Sequence, residues 1–206
     1  MNTRGFQVFD NFLNEDYFED LASAVLGEKF PWFYKEHVSA DHRLNIPNNS
    51  KLALETWGLD HTVYEKEQGI ESFTFVLFEE LFKKIETSFG FSFDQLIRAR
   101  LGAKFPKIGF TSDNFNLPHI DYFYPHETLI FYFNDSDGDT RIFDQWWNYP
   151  MKHDFREDWP TEFTTHARIT PKANRLLWIN GMQFHTASNP IQTTSRVVIN
   201  MNFKTL

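Results

Sequence analysis

The chain has 206 residues, no cysteine and a formal net charge of -8 at pH 7. Its length favours one large domain, residues 1–206, over two smaller ones. No apolar run reaches the ~18 residues of a membrane span, and the first residues lack the apolar stretch of a signal peptide, so a cytoplasmic protein without a membrane partner is expected. Because cysteine is absent, any metal must be bound by histidine and carboxylate.

Two further features of the composition narrow the class of protein. Aromatic residues make up 18% of the chain, which favours strands and a large core. The chain has no stripe of lysine and arginine of the kind that neutralises phosphates, so direct binding of nucleic acid is not expected. The sequence leaves the oligomeric state open.

Residues 1–95 are predicted to be mainly helical. Asn14 is followed by two acidic residues and then by apolar residues on one face, a pattern that predicts a helix over 15–26. A stronger helical period runs over 70–89 and stops at Gly90. The residues between the two helices show no clear period, and we expect loop with short helix there.

The hydrophobic period changes toward two after Phe91, so residues 96–206 are predicted to form the β-rich core. In the first of its strands, apolar residues alternate with Arg98, Arg100 and Lys104, as in a half-buried strand. The predicted strands are 97–105, 117–123, 127–134, 140–144, 163–170, 175–180, 182–187 and 195–204. We therefore expect an α+β protein in which a double-stranded β-helix, or jelly roll, carries the N-terminal helices on one sheet.

Three side chains are candidates for a metal site. His119 and Asp121 lie two positions apart at the start of a predicted strand, so both would point to one face and chelate one ion. His185 is the candidate third ligand, from a distant strand. Two histidines and a carboxylate on one face of an octahedral ion leave three positions open, the arrangement of non-haem Fe(II) oxygenases. The His-x-Asp triplet alone is weak evidence, because it occurs often by chance.

The order of the motifs is more specific than the triplet. The triplet is followed by a turn with DGDTRIF, then by NGMQFHTASNP, and then by a strand that opens with Ser195 and Arg196. In this order the sequence resembles the 2-oxoglutarate- and Fe(II)-dependent dioxygenases, and among them the small prolyl-4-hydroxylase-like members, some of which are encoded by phages. The resemblance covers residues 96–206 well and residues 6–90 loosely.

The resemblance implies roles for individual residues. The three candidate ligands match the family's iron ligands, and Arg196 matches the basic residue that pairs with the distal carboxylate of 2-oxoglutarate. Tyr132 takes the place of a tyrosine that donates to the same carboxylate, and Thr140 is a weaker candidate for that contact. The implied cofactors are Fe(II), 2-oxoglutarate as co-substrate and O2, with ascorbate as an optional addition. The family's reaction converts 2-oxoglutarate to succinate and carbon dioxide and hydroxylates a C–H bond of a second substrate.

The last predicted strand has two faces of different character. One face holds Arg196, Val198, Asn200 and Asn202, and the other holds Val197, Ile199, Met201 and Phe203. The first face is assigned to the pocket and the second to packing on the helices. One departure from the family lies on the strand before the triad, where many relatives carry tyrosine or asparagine and this chain carries Arg98 and Arg100.

The substrate is the least determined part of the prediction. The prolyl-hydroxylase-like resemblance implies a prolyl residue of a peptide or protein, in the host cytoplasm if the chain is phage-encoded. A free amino acid or another small molecule is the main alternative, and a jelly-roll binding module without redox chemistry is the alternative of a different class. The aromatic insertion from Trp146 to Trp159 either completes the core or covers a substrate.

Overall fold

The computed structural model describes residues 5–38, 51–148 and 159–205. These residues form two α-helices, α1 (Glu15–Leu26) and α2 (Glu79–Phe89), and two short 3-10 helices, Phe75–Phe78 and Phe93–Gln95. They also form eleven strands: β1 (Phe6–Phe9), β2 (Phe33–Lys35), β3 (Gly58–Glu65), β4 (Ile70–Glu71), β5 (Leu96–Lys104), β6 (His126–Tyr132), β7 (Thr140–Trp146), β8 (Thr165–Ile169), β9 (Arg175–Asn180), β10 (Gln183–Ala187) and β11 (Arg196–Lys204).

The strands form two antiparallel sheets that face each other. The larger sheet has the order β1-β9-β6-β11-β5-β3-β2, with β4 paired to β3, and the smaller has the order β10-β7-β8. A buried cluster that includes Ile130, Ile142 and Leu177 joins residues of both sheets. The predicted jelly roll is therefore confirmed.

The two helices pack on the outer face of the larger sheet. The apolar face of β11, from Val197 to Phe203, lies in one buried cluster with Leu21 of α1 and Ile85 of α2, as the alternation predicted. The Asn14 side chain caps α1 by accepting from the backbone N–H of Asp16 at 3.1 Å. Among the described residues, no helix is both long enough and apolar enough to span a membrane.

The first ninety-five residues are less helical than predicted, because they also supply strands β1 to β4. The clearest correction is β3, which falls where loop was expected and pairs with β5 from Leu59 to Glu65. Its polar and apolar residues do not alternate cleanly, because the polar His61 is buried and Asp60 lines a pocket. Residues 1–95 therefore build part of the larger sheet as well as its helical cover.

The helix predicted over 70–89 is correct only in its second half, α2. Residues Ile70 and Glu71 instead pair with the end of β3. Phe73 is 81% exposed, which shows that its helical spacing with later apolar residues does not place it in the core. The predicted stop is correct, since Gly90 has a φ of 77° and donates its N–H to the Glu86 carbonyl at 2.8 Å.

Seven of the eight predicted strands are present, with small shifts at their ends. The prediction over 117–123 is wrong, because in that stretch only His119 makes a β-bridge, to His185. The rest of the stretch is loop, so the convergence of His119 and Asp121 does not come from strand periodicity.

Candidate active site

A pocket lies between the two sheets. It is walled by β5 and β11 of the larger sheet and by β7 and β10 of the smaller one, and its empty space is about 700 Å³ with its mouth included. Its polar lining includes Lys35, Arg100, Lys104, His119, His185 and Arg196. The pocket thus contains two of the three candidate metal ligands and the candidate oxoglutarate arginine.

Backbone pairing brings His119 beside His185. The N–H of each residue donates to the carbonyl of the other at 3.0 Å, so the loop carrying His119 runs antiparallel to β10. The Thr186 hydroxyl fixes the same loop by donating to the Leu117 carbonyl at 3.0 Å. The two imidazole centroids are consequently 5.0 Å apart.

Both imidazoles are held in the tautomer that suits a metal. The Nδ1–H of His119 donates to the Leu117 carbonyl and that of His185 to the Gln183 carbonyl, each at 3.0 Å. In a neutral ring this leaves the Nε2 lone pair free. The Nε2 atom of His185 is buried and has no hydrogen-bond partner. Burial, together with repulsion by His185, lowers the pKa of His119 to about 4, so that ring is neutral at pH 7.

The Asp121 carboxylate completes a group of three ligand atoms that all lie within 4.8 Å of one another. Its Oδ2 is 3.7 Å from the Nε2 of His185. We call His119, Asp121 and His185 the metal end of the pocket. A free buried imidazole nitrogen, a second neutral imidazole and an ionised carboxylate form a donor set that fits Fe(II), and the part of the chain that the structure describes offers no thiolate that would favour zinc.

Donors from three strands surround the Asp121 carboxylate. Arg98 donates at 2.9 Å, Asn202 at 2.8 Å and Thr128 at 3.1 Å, and Asn200 adds longer bonds of 3.2 and 3.3 Å. Burial alone would raise the pKa of Asp121, but contact with His185 and the Arg98 charge hold it well below its ordinary value. The carboxylate is therefore ionised and fixed in orientation.

These partners of Asp121 were not predicted as site residues. The sequence does contain a signal for them, because Arg98 alternates with apolar residues along β5 and Asn200 and Asn202 share the pocket face of β11. Alternation showed that this face of β5 is polar, and the structure shows that it lines the pocket instead of meeting solvent. Identifying Asp121 as their partner requires the tertiary fold.

At the other end of the pocket lies a group that we call the cationic end, made up of Arg196, Lys104, Thr140 and Tyr132. Arg196 is 4% exposed and donates to the Thr140 hydroxyl at 2.7 Å, and the Tyr132 hydroxyl lies 2.6 Å from the same oxygen. Burial raises the pKa of Tyr132, so its phenol stays protonated and can donate. The structure thus brings together all three residues that the resemblance assigned to the co-substrate.

Among the described residues, Lys104 and Arg100 are the two basic side chains of this pocket that have no partner. Lys104 lies directly opposite Arg196 in the pairing of β5 with β11, is 8% exposed, and its buried Nζ has no hydrogen-bond partner. Arg100 lies opposite Asn200, and its guanidinium makes no hydrogen bond or ion pair within the described ranges. Burial and repulsion by Arg98 lower the pKa of Arg100 to about 10, and burial with repulsion by Arg196 holds the pKa of Lys104 well below its ordinary value.

Solved structures with this fold are found at low sequence identity. A prolyl hydroxylase from Trichoplax adhaerens, in complex with a hypoxia inducible factor oxygen degradation domain peptide fragment, is 15% identical with a TM-score of 0.55, over 98% of this chain and 84% of that one. The carbocyclase SnoK from nogalamycin biosynthesis is 14% identical with a TM-score of 0.58, over 97% and 79%. The epimerase SnoN in complex with Fe3+, alpha ketoglutarate and nogalamycin RO is 14% identical with a TM-score of 0.56, also over 97% and 79%.

The chain has the fold of the non-haem alpha-ketoglutarate-dependent enzymes. No protein-family profile and no curated protein matches the sequence. The resemblance stated from the motif order is thus confirmed at the level of the fold, across nearly the whole chain.

The aromatic insertion falls partly outside the described residues, which omit 149–158. Its first residue, Trp146, is 41% exposed, whereas Trp147 and Trp159 belong to the core. Trp147 and Trp159 are each 4% exposed, their ring centroids are 5.9 Å apart, and both belong to a buried cluster with Phe184. Neither ring lines the pocket. For these two residues the structure supports packing in the core and not the covering of a substrate.

Proposed function

We propose that this chain is an Fe(II)- and 2-oxoglutarate-dependent oxygenase that hydroxylates a C–H bond, with iron bound by His119, Asp121 and His185. The observation that carries this proposal is the convergence of three ligand atoms within 4.8 Å in a pocket whose far end holds a buried arginine. Arg196 would receive the distal carboxylate of 2-oxoglutarate, because a buried guanidinium is the natural partner of a carboxylate.

The side chains of the pocket would have two roles, which are to hold the ligands and to exclude water. Iron, when bound with 2-oxoglutarate and O2, supplies the C–H oxidation that no protein side chain can perform. Asp121 contributes the negative charge, and the donors around it keep its orientation fixed. Tyr132 and Thr140 orient the Arg196 guanidinium and offer hydroxyls to the co-substrate carboxylate. The walls of the pocket shield the reacting groups from bulk solvent.

The direct test is binding and turnover with the purified protein. We expect anaerobic addition of Fe(II) and 2-oxoglutarate to produce the visible metal-to-ligand absorption band of such complexes. We expect succinate to form when O2 is admitted. Absence of both signals under iron-saturating conditions would contradict the proposal and favour a binding module without redox chemistry. Against such a module stands the buried Arg196 cluster, which a plain metal-binding domain does not need.

For the substrate, we propose a prolyl residue of a peptide or protein. The support is the similarity to a prolyl hydroxylase bound to a peptide fragment, at 15% identity. Mass spectrometry of proline-containing peptides after incubation tests it, with an added oxygen on proline as the expected product. Consumption of 2-oxoglutarate without oxidised proline would reject the prolyl substrate and leave the oxygenase proposal standing.

A free amino acid or another small molecule is the second candidate. The specific observation in its favour is the density of cations inside the pocket, where Lys35, Arg100, Lys104 and Arg196 all contribute to the lining. A neutral prolyl ring has no charge for these basic side chains to bind, whereas a small acid carries a negative charge that they can bind.

A further inference from the structure

The charges in the pocket do not balance when the proposed ligands are counted. Lys35 is paired with Asp60 at 3.1 Å, and Arg98 is paired with Asp121 at 2.9 Å. The distal carboxylate of 2-oxoglutarate would balance one cation, Arg196. Its other carboxylate and Asp121 would carry two negative charges against the three positive charges of Fe(II) and Arg98. No anion is therefore left for the two remaining basic side chains of the lining.

These two basic side chains are Arg100 and Lys104, and they lie on the same face of β5 with only Gly102 between them on that face. A Cβ built on Gly102 would meet nothing within 4 Å, so the space above this glycine is open. Two long cationic side chains thus flank an open part of the wall. Asp60 on β3 lies opposite Gly102, and its carboxylate is already paired with Lys35.

We propose that Arg100 and Lys104 bind an anionic group of the primary substrate, so that the substrate of this pocket is an acid. The inference rests on the proposed function, and it adds the chemical class of the second substrate. Arg100 is the better placed of the two to hold that group near the reacting atoms. It is opposite Asn200, which contacts Asp121.

The alternative for such residues is a purely structural role, and stability distinguishes the two. A buried cation with no partner destabilises the protein until its ligand arrives, whereas a structural cation stabilises it. We expect Arg100→Met and Lys104→Met each to raise the melting temperature of the Zn(II)- and 2-oxoglutarate-loaded protein by about 2–4 °C, the size of shift that ~1 kcal/mol causes in a domain of this length.

The matched control for stability is Lys35→Met, which removes a paired cation from the same pocket and leaves the Asp60 carboxylate without its partner. It should lower the melting temperature. Sodium acetate or phosphate should then raise the melting temperature of the parent and of Lys35→Met more than that of Arg100→Met, at constant ionic strength, while the neutral isostere acetamide should raise none. A fall in melting temperature for Arg100→Met, or equal protection of the parent and Arg100→Met by the anions, would overturn the proposal.

Substrate pairs that differ only in charge identify the source of the anion. L-proline is compared with L-prolinamide, and a blocked aspartyl-proline dipeptide with its asparaginyl counterpart, by their stimulation of succinate formation. With the parent protein, we expect the acid of one pair to stimulate succinate formation at roughly tenfold lower concentration than its amide. Arg100→Lys should keep part of this preference for the acid, and Arg100→Met should lose it. Stimulation by free proline indicates a small acid, and stimulation by the aspartyl dipeptide indicates an acidic peptide.

Two further outcomes separate this proposal from the function on which it rests. If the parent protein forms no succinate with Fe(II) and 2-oxoglutarate, the oxygenase proposal fails, and the melting series still reports whether the anion site exists. If Arg100→Met and Lys104→Met instead weaken 2-oxoglutarate binding tenfold and leave the preference for acids unchanged, both residues belong to the co-substrate and the anion site is disproved.

Discussion

The two ends of the pocket differ in how completely the protein satisfies their charged groups. At the metal end, the Asp121 carboxylate receives hydrogen bonds from four side chains on three strands. At the cationic end, Arg196 donates to a single hydroxyl, its Nε has no partner, and the buried Nζ of Lys104 has none. The metal end is therefore assembled before any ligand arrives, whereas the cationic end depends on anions to complete it.

This difference predicts opposite responses to substitution. Changes at the metal end break a network that already exists, so they should affect metal binding and all later steps. Changes at the cationic end remove groups that act only when an anion is bound, so they should affect one ligand at a time. The following substitutions test that contrast.

The largest effect is expected from the metal ligands themselves. His119→Ala or His185→Ala leaves two ligands where three bind as a unit, so we expect loss of nearly all 2-oxoglutarate decarboxylation with the fold intact. Succinate assays at limiting iron, with circular dichroism on the same samples, measure this. His166→Ala is the matched control, because that imidazole is exposed and pairs with Asp144 away from the pocket. Parent-like turnover by either ligand variant would refute the iron site.

The next effect concerns Arg98, which positions Asp121 and does not contact the metal. Outer partners of metal ligands commonly contribute about 10–100-fold to metal affinity. We expect Arg98→Ala to weaken Fe(II) binding by that order and Arg98→Lys to recover part of it, measured by titration with Fe(II) under anaerobic conditions. Unchanged iron affinity in Arg98→Ala would show that Asn202 and Thr128 suffice to hold the carboxylate, and the contrast between the two ends would weaken.

A smaller and more selective effect is expected at the cationic end. Charge-assisted hydrogen bonds contribute about 1.5–3 kcal/mol, and 1.4 kcal/mol is about a factor of ten in affinity. Arg196→Ala should therefore weaken 2-oxoglutarate binding at least roughly tenfold while leaving Fe(II) affinity near that of the parent. Calorimetric titration of each ligand separates the two quantities. Equal loss of both would mean that the ends are not independent.

The sequence predicted which residues come together in the pocket better than it predicted the local structure that positions them. His119, Asp121, His185 and Arg196 were identified from their spacing and order, yet His119 and Asp121 lie on a loop and not on the predicted strand. That loop is fixed by pairing with β10, a contact between residues far apart in sequence. Periodicity reports only which face of a local segment is apolar, so it cannot detect such pairing.

The same limit explains the errors in the first part of the chain. A strand such as β3, which buries the polar His61 and places Asp60 in a pocket, lacks the clean alternation of a strand with one solvated face. Because phenylalanine is frequent in this chain, the apolar spacing typical of a helix continues before Glu79. In the structure, those earlier residues pair with a strand or lie exposed to solvent. Helix ends with a local physical cause were predicted correctly: the Asn14 side chain caps the start of α1, and Gly90 ends α2 in the left-handed conformation.

The smallest effect is expected from the Tyr132 hydroxyl, and it tests whether the cationic end acts as one unit. Tyr132 lies 2.6 Å from the Thr140 hydroxyl, which in turn accepts from Arg196 at 2.7 Å, so the phenol contributes one neutral hydrogen bond. Such a bond contributes about 0.5–1.5 kcal/mol, and the middle of that range corresponds to roughly fivefold in affinity, so Tyr132→Phe should weaken 2-oxoglutarate binding less than Arg196→Ala does. The double variant decides between two arrangements. Additive losses would mean that the hydroxyl contacts the carboxylate independently, whereas no further loss beyond Arg196→Ala would mean that it acts by orienting the guanidinium.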